Sequence, residues 1–171
     1  PERIGERIPL AGEPDMTALG EAVHGFFAAD PGADHPDRRT ICRNALERWG
    51  VAPHIEVEPI LSAADGLVTW VASRWPQARW LREWPIHHRQ NDGAIIRGFI
   101  DLVLETDAGF VVIDHKSFPG SMTQVITRAG SYAGQIGAYA DGIAAATGRK
   151  VVGRFINLPI SGLIVRIQSE L

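Results

Sequence analysis

The stretch GFIDLVLETDAGFVVIDHKS, residues 98–117, constrains the fold more than any other. It reads as two apolar strands joined at TDAG, where Gly109 can take a positive backbone angle. Each strand carries an aspartate, Asp101 and Asp114, and Lys116 follows two residues after the second. Side chains alternate across a strand, which puts Phe110, Val112, Asp114 and Lys116 on one face and Val111, Ile113 and His115 on the other. Both faces are mostly apolar, as for a strand covered on both sides. Charges in such a place are costly to bury unless something compensates them.

Hairpin pairing brings Asp101 and Asp114 within a few ångströms of each other. Two close carboxylates repel and trap a proton unless a cation lies between them. A hard divalent ion such as Mg²⁺ answers that need, since it takes oxygen ligands and keeps waters that can be activated. Lys116, held charged by its acidic neighbours, then suits orienting water or stabilising an anionic transition state better than acting as a base. A lone Asp–Lys pair at this spacing is more often a structural ion pair. The full pattern of apolar-Asp, turn, apolar-Asp-x-Lys is far more specific.

Helices are expected on either side. MTALGEAVHGFFAAD, 16–30, places Leu19, Val23, Phe26 and Phe27 at helical spacing, with Thr17 as the N-cap. RRTICRNALERWG, 38–50, predicts a second helix stopped by Gly50. LVTWVASRW, 67–75, falls in a third, ended by Pro76. ARWLREWPIHHR, from 79, reads as a strand with an irregularity at its proline. SYAGQIGAYADGIAAAT, about 131–147, is a further helix, and VVGRFINLP and SGLIVRIQ close the chain as strands. The order gives an α/β or α+β sheet with helices packed on it, an N-terminal helical part over about 16–76 and a sheet-and-helix part over about 79–171.

Composition narrows the function. The single cysteine, Cys42, rules out an internal disulfide and any four-cysteine zinc or iron–sulfur site, and fits a reducing, cytoplasmic setting. A net charge of −3 gives no support for nucleic-acid binding through overall charge, though a local basic patch is compatible with it. Only Lys116 and Lys150 are lysines among 17 basic residues, so the placement of Lys116 is informative. There is no apolar run of membrane-spanning length and no signal-peptide core at the N-terminus. The chain begins at Pro1 rather than Met, as a piece of a longer protein would.

The residues just described resemble the PD-(D/E)xK nuclease superfamily, and more closely the RecB- and AddA-type nuclease domains fused to superfamily 1 helicases. GFID followed by IDHK matches the family's Gly-x-x-Asp and Asp-x-Lys strands; QIGAY supplies a Gln-x-x-x-Tyr helix, and GEAVH a Gly-x-x-x-His helix. The four motifs lie in the family's order between residues 20 and 139. The resemblance implies a restriction-endonuclease-like α/β core over 1–171, with a central mixed sheet flanked by helices. It makes Asp101 and Asp114 metal ligands, Lys116 the catalytic lysine, and His24 and the backbone carbonyl of His115 further ligands. Gln135 and Tyr139 would position the nucleic-acid strand, and Glu83 would be auxiliary. Taken alone, His24 reads as a hydrogen-bonded core histidine, and Gln135 with Tyr139 as a packing pair one helical turn apart. His87 and His88 point to opposite faces of a strand and are read as structural or surface residues.

The implied activity is Mg²⁺-dependent hydrolysis of DNA, with Mn²⁺ as a substitute and no iron–sulfur cluster, on single strands fed by a helicase in cis or in trans. No Walker-type phosphate loop occurs in the chain, so any motor lies elsewhere. A catalytically silent scaffold on the same fold is the main alternative. A sequence-specific endonuclease cutting duplex DNA would need base-reading elements, and none is legible.

Overall fold

In a computed structural model of the chain, residues 1–89 and 93–168 are described. A short strand β1 (Glu2–Arg3) precedes three helices, α1 (Met16–Ala29), α2 (Arg38–Arg48) and α3 (Val57–Arg74). The long strands β2 (Arg79–Arg89), β3 (Ile95–Thr106) and β4 (Gly109–His115) follow. Helices α4 (Met122–Ser131) and α5 (Ala133–Thr147) lead to β5 (Val151–Leu158) and, after a 3₁₀ turn, β6 (Leu163–Arg166). The strands form one sheet in the order β1-β6-β5-β4-β3-β2. Only β4 and β5 run parallel, and the α4–α5 crossover is what a parallel pair requires. This is the expected α/β architecture, a mixed sheet flanked by helices.

The alternation along β4 sorts its apolar residues into two cores. Val111 and Ile113 pack with α1, α2 and α3, around Leu19, Phe26, Leu46, Ile60 and Leu67. Phe110 and Val112 face α5, with Ile136, Tyr139 and Ile143. Close approach of α5 to the sheet needs Gly142, where a Cβ would lie 2.6 Å from Ile86 Cδ1. The β3–β4 turn is a two-residue loop between the paired Thr106 and Gly109. Gly109 takes φ +137°, and a Cβ there would meet the Lys150 carbonyl at 2.3 Å, so glycine is required twice over.

Local details correct the sequence reading. The N-cap of α1 is Asp15, not Thr17: the Asp15 carboxylate accepts from the backbone N–H groups of Thr17 and Ala18, at 2.8 and 3.1 Å. Helix α3, in which 67–74 fall as expected, starts at Val57, where Ile60, Ala63 and Ala64 extend its buried stripe toward the N-terminus. Helix α4 buries Val125, while Met122 and Ile126 stay exposed. The break in β2 falls at Glu83, not at Pro85. Pro85 keeps its place opposite Phe99 on the edge strand, where a missing N–H is tolerated.

The α1–α2 junction is held by a buried ion pair. Arg38 places Nε 2.7 Å from Asp30 Oδ1 and a second guanidinium nitrogen 2.9 Å from Oδ2, and reaches Asp65 at 2.8 Å. Asp30 also accepts the Gly32 N–H at 3.1 Å, which closes the loop after α1. Removing one partner of such a pair strands the other charge away from water, at about 3–5 kcal/mol. Asp30→Ala is therefore expected to lower unfolding free energy by about that amount in a urea titration, with an unchanged m-value.

Candidate active site

Three acidic residues lie side by side across three strands. Extending the β2–β3 register places Glu83 opposite Asp101, and extending that of β3–β4 places Asp101 opposite Asp114, yet neither pair joins its ladder. Side-chain alternation also breaks on this line. Ile100 and Val103 both face the α5 core, whereas Leu102 faces the α1–α3 core. Glu83 has φ +50°, the only positive value at a non-glycine among the described residues. A long side chain held in that region marks local strain, of the kind found at functional sites.

The parted strands leave room for polar contacts. Asp101 Oδ2 accepts the His115 backbone N–H at 2.7 Å, which the β3–β4 ladder no longer uses. From α1, His24 points into the gap with Nε2 3.0 Å from Glu83 Oε1 and Nδ1 3.6 Å from Asp101 Oδ2. Ligand atoms of His24, Glu83 and Asp101 all lie within 4.8 Å of one another. On the α5 side, Asp114 is buried, with Oδ2 2.7 Å from Lys116 Nζ. Phe27 stacks at a tilt against the His115 ring, 4.9 Å between centroids.

Electrostatics follow from this crowding. The Asp101 carboxylate at Nδ1, helped by the charges of Glu83 and Glu21 and opposed by burial, raises the His24 pKa to about 9. Burial works against ionisation of Asp101, but the contacts with His24 and the His115 N–H outweigh it and lower its pKa. Burial, then the charge of Asp101, raises Asp114 against the pull of Lys116. Lys116 loses solvation but gains more from Asp114 and Asp101, so its pKa rises and the ammonium stays charged. Burial drives His115 down to about 4, so that imidazole is neutral at pH 7.

The residues fit a divalent cation. Glu83 Oε1 and Asp114 Oδ2 are buried and each faces one cationic side chain, His24 Nε2 at 3.0 Å and Lys116 Nζ at 2.7 Å, and a carboxylate oxygen with a single partner keeps a lone pair for a further ligand. Hard carboxylate oxygens with one imidazole suit Mg²⁺ or Mn²⁺. In its absence His24 carries the compensating positive charge.

Two other expected site residues lie on α5. Gln135 Nε2 donates to Tyr139 Oη at 2.7 Å; Tyr139 is buried and Gln135 exposed. Tyr132, one turn before Gln135, was missed by sequence reasoning, yet Lys116 Nζ lies 5.2 Å from its ring centroid. Its spacing of three and seven from Gln135 and Tyr139 was the available signal. Arg128 stacks on Phe118 and donates to Tyr132 Oη at 3.3 Å. These residues line a cleft of about 340 Å³ that opens on Lys116, closed across by Met16 and Thr17 of α1. His87 is exposed and His88 half-buried, on opposite faces as expected.

The sequence profile of the PD-(D/E)XK nuclease superfamily matches residues 3–171. The chain belongs to that superfamily, whose members are in general metal-dependent nucleases. No curated protein matches the chain. Among the described residues no helix is long and apolar enough to cross a membrane.

In the metal-free protein the raised pKa of His24 makes folding favour its protonated form. That contribution is complete below the unfolded value of about 6.5 and fades as pH rises through about 9. An NMR titration of the His24 ring in EDTA is expected to show its midpoint near 9, moving back toward 6.5 in Asp101→Asn.

Proposed function

We propose that the chain is a divalent-metal-dependent deoxyribonuclease, using Mg²⁺ or Mn²⁺ to hydrolyse phosphodiester bonds of single-stranded DNA. The observation that carries this reading is the acidic line, with His24, Glu83 and Asp101 ligand atoms within 4.8 Å and the Asp114–Lys116 pair on the adjoining strand. A structural salt bridge alone would not account for Glu83 and Asp101 crowding the same spot around His24.

In this reading Asp101, Asp114, His24 and the His115 backbone carbonyl hold the ion, and Glu83 joins them from β2. The ion supplies Lewis acidity and a lowered pKa for bound water. Lys116 stays protonated, and so it orients the attacking water and meets the negative charge that builds on the phosphate. Water oxygen bonds to phosphorus as the bond to the leaving deoxyribose oxygen breaks; the water's proton passes to solvent, and the leaving oxygen takes one up. Gln135 and Tyr139 steady the strand beside the site, and the hydrogen bond between them fixes both side chains.

The order of the four motifs supports assignment to the RecB- and AddA-type branch. With it comes delivery of the strand by a superfamily 1 helicase, in cis or in trans, during DNA end processing in the cytoplasm. These 171 residues contain no phosphate loop for such a motor.

The test is cleavage of end-labelled single-stranded DNA with Mg²⁺ or Mn²⁺, against EDTA. Asp114→Ala and Lys116→Ala are expected to lower the cleavage rate at least about a hundredfold, with circular dichroism showing an intact fold. Well-folded wild-type protein that neither cuts DNA nor binds Mn²⁺ in a calorimetric titration would make the chain a scaffold instead.

A further inference from the structure

The β2–β3 ribbon runs on past the acidic line, and its two sides differ. On one side Ile86 and Ile100 are buried, and Trp84 and Ile96 pack with them against the α5 core. On the other, the cross-strand pairs Pro85/Phe99, His87/Arg97 and Arg89/Ile95 are all exposed. This exposed side carries Glu83 and Asp101 at its inner end, and α1 covers it there through His24. Beyond that point it is bare. Phe99 is 59% exposed and Ile95 50% exposed, the most open large apolar residues on the sheet.

We propose that this face is a track along which a single nucleic-acid strand reaches the acidic line, with a base stacked on Phe99 and phosphates held by Arg97 and Arg89. The inference rests on the nuclease reading, since it uses the acidic line as the point of arrival. Phe99 lies two residues from Asp101 on the same face, roughly 7 Å along the strand, and Arg97 lies two residues further out. An exposed aromatic ring with arginines beyond it is the combination that holds single strands, the ring for bases and the cations for the backbone. Neither Arg89 nor Arg97 makes an ion pair among the described residues. In a chain of net charge −3, two exposed arginines on one face without an ion pair among the described residues match a polyanion. The acidic groups on this face among the described residues are Glu83 and Asp101, where a cation is called for. Continuity with the site and the placement of charge favour a strand over a protein partner.

The test is fluorescence anisotropy of a labelled oligothymidine and of a duplex of equal length, in Ca²⁺, with each probe checked on a gel for cutting. Phe99→Ala is expected to weaken single-strand binding about five- to a hundredfold, the worth of one stacked base. Duplex binding should change far less, because paired bases cannot reach the ring. Arg89→Ala with Arg97→Ala should flatten the slope of log K against log salt by about 1.4. Val68→Ala, an exposed apolar residue on α3, serves as the control and should change nothing. Single-strand binding by Phe99→Ala equal to the wild type, or a wild type that does not hold the strand, would overturn the track and leave the ribbon as a surface for a protein. Loss of cutting in Asp114→Ala, measured separately, keeps the fate of the nuclease reading distinct.

Discussion

The mutual repulsion of Glu83, Asp101 and Asp114 is the constraint around which the rest of the site is arranged. Asp101 and Asp114 lie largely out of water, and close carboxylates cannot all be charged and unpaired there. The protein meets the problem from three directions. The His115 backbone N–H turns to Asp101, Lys116 reaches Asp114, and His24 comes down from α1 between Glu83 and Asp101. Each answer costs something: two ladder pairs are lost and Glu83 sits at positive φ. A sheet that only needed stability would place apolar pairs here instead.

That arrangement divides labour between the two helical layers. The α1–α3 layer brings one imidazole, His24, and for the rest packs the apolar side of β3 and β4. On the α5 side Tyr132 faces Lys116, Gln135 bonds to Tyr139 one turn further on, and α4 contributes Arg128 to the adjoining cleft. The two groups converge on the parted strands from opposite sides. The acidic line is thus a junction between two cores, and the ribbon beyond it is free of the first layer. An open approach to a closed-in group of ligands is a geometry in which a long polymer can enter without the fold having to open.

Much of this was legible in the residue pattern. The β3–β4 hairpin, its two-residue turn at Gly109 and the split of Phe110/Val112 from Val111/Ile113 follow from alternation and turn chemistry, and the structure agrees. Gly50 closes α2 as expected, donating its N–H to the Glu47 carbonyl at 3.0 Å. The misses have a common cause. Asp15 and Thr17 are both good caps, and only the backbone geometry decides between them. Helix α4 presents so little buried surface that its pattern is weak. Glu83, named only as auxiliary by the family resemblance, gains its neighbours when the β2–β3 register puts it opposite Asp101.

The sequence by itself determined the candidate groups: two aspartates and a lysine at strand spacing, which is a local periodicity of the backbone, and, through the family resemblance, Gln135 with Tyr139 one helical turn apart. It also determined membership of the superfamily, which is a property of motif order along the chain. Although the family resemblance named His24 and Glu83, tertiary structure alone decided how closely they approach Asp101, since 18 residues separate Glu83 from Asp101 and 77 separate His24 from it in the numbering. It alone decided that Tyr132 meets Lys116, and that one face of the ribbon stays bare. Those outcomes depend on strand register and on where α1 and α5 stop covering the sheet, and no local pattern of residues encodes either.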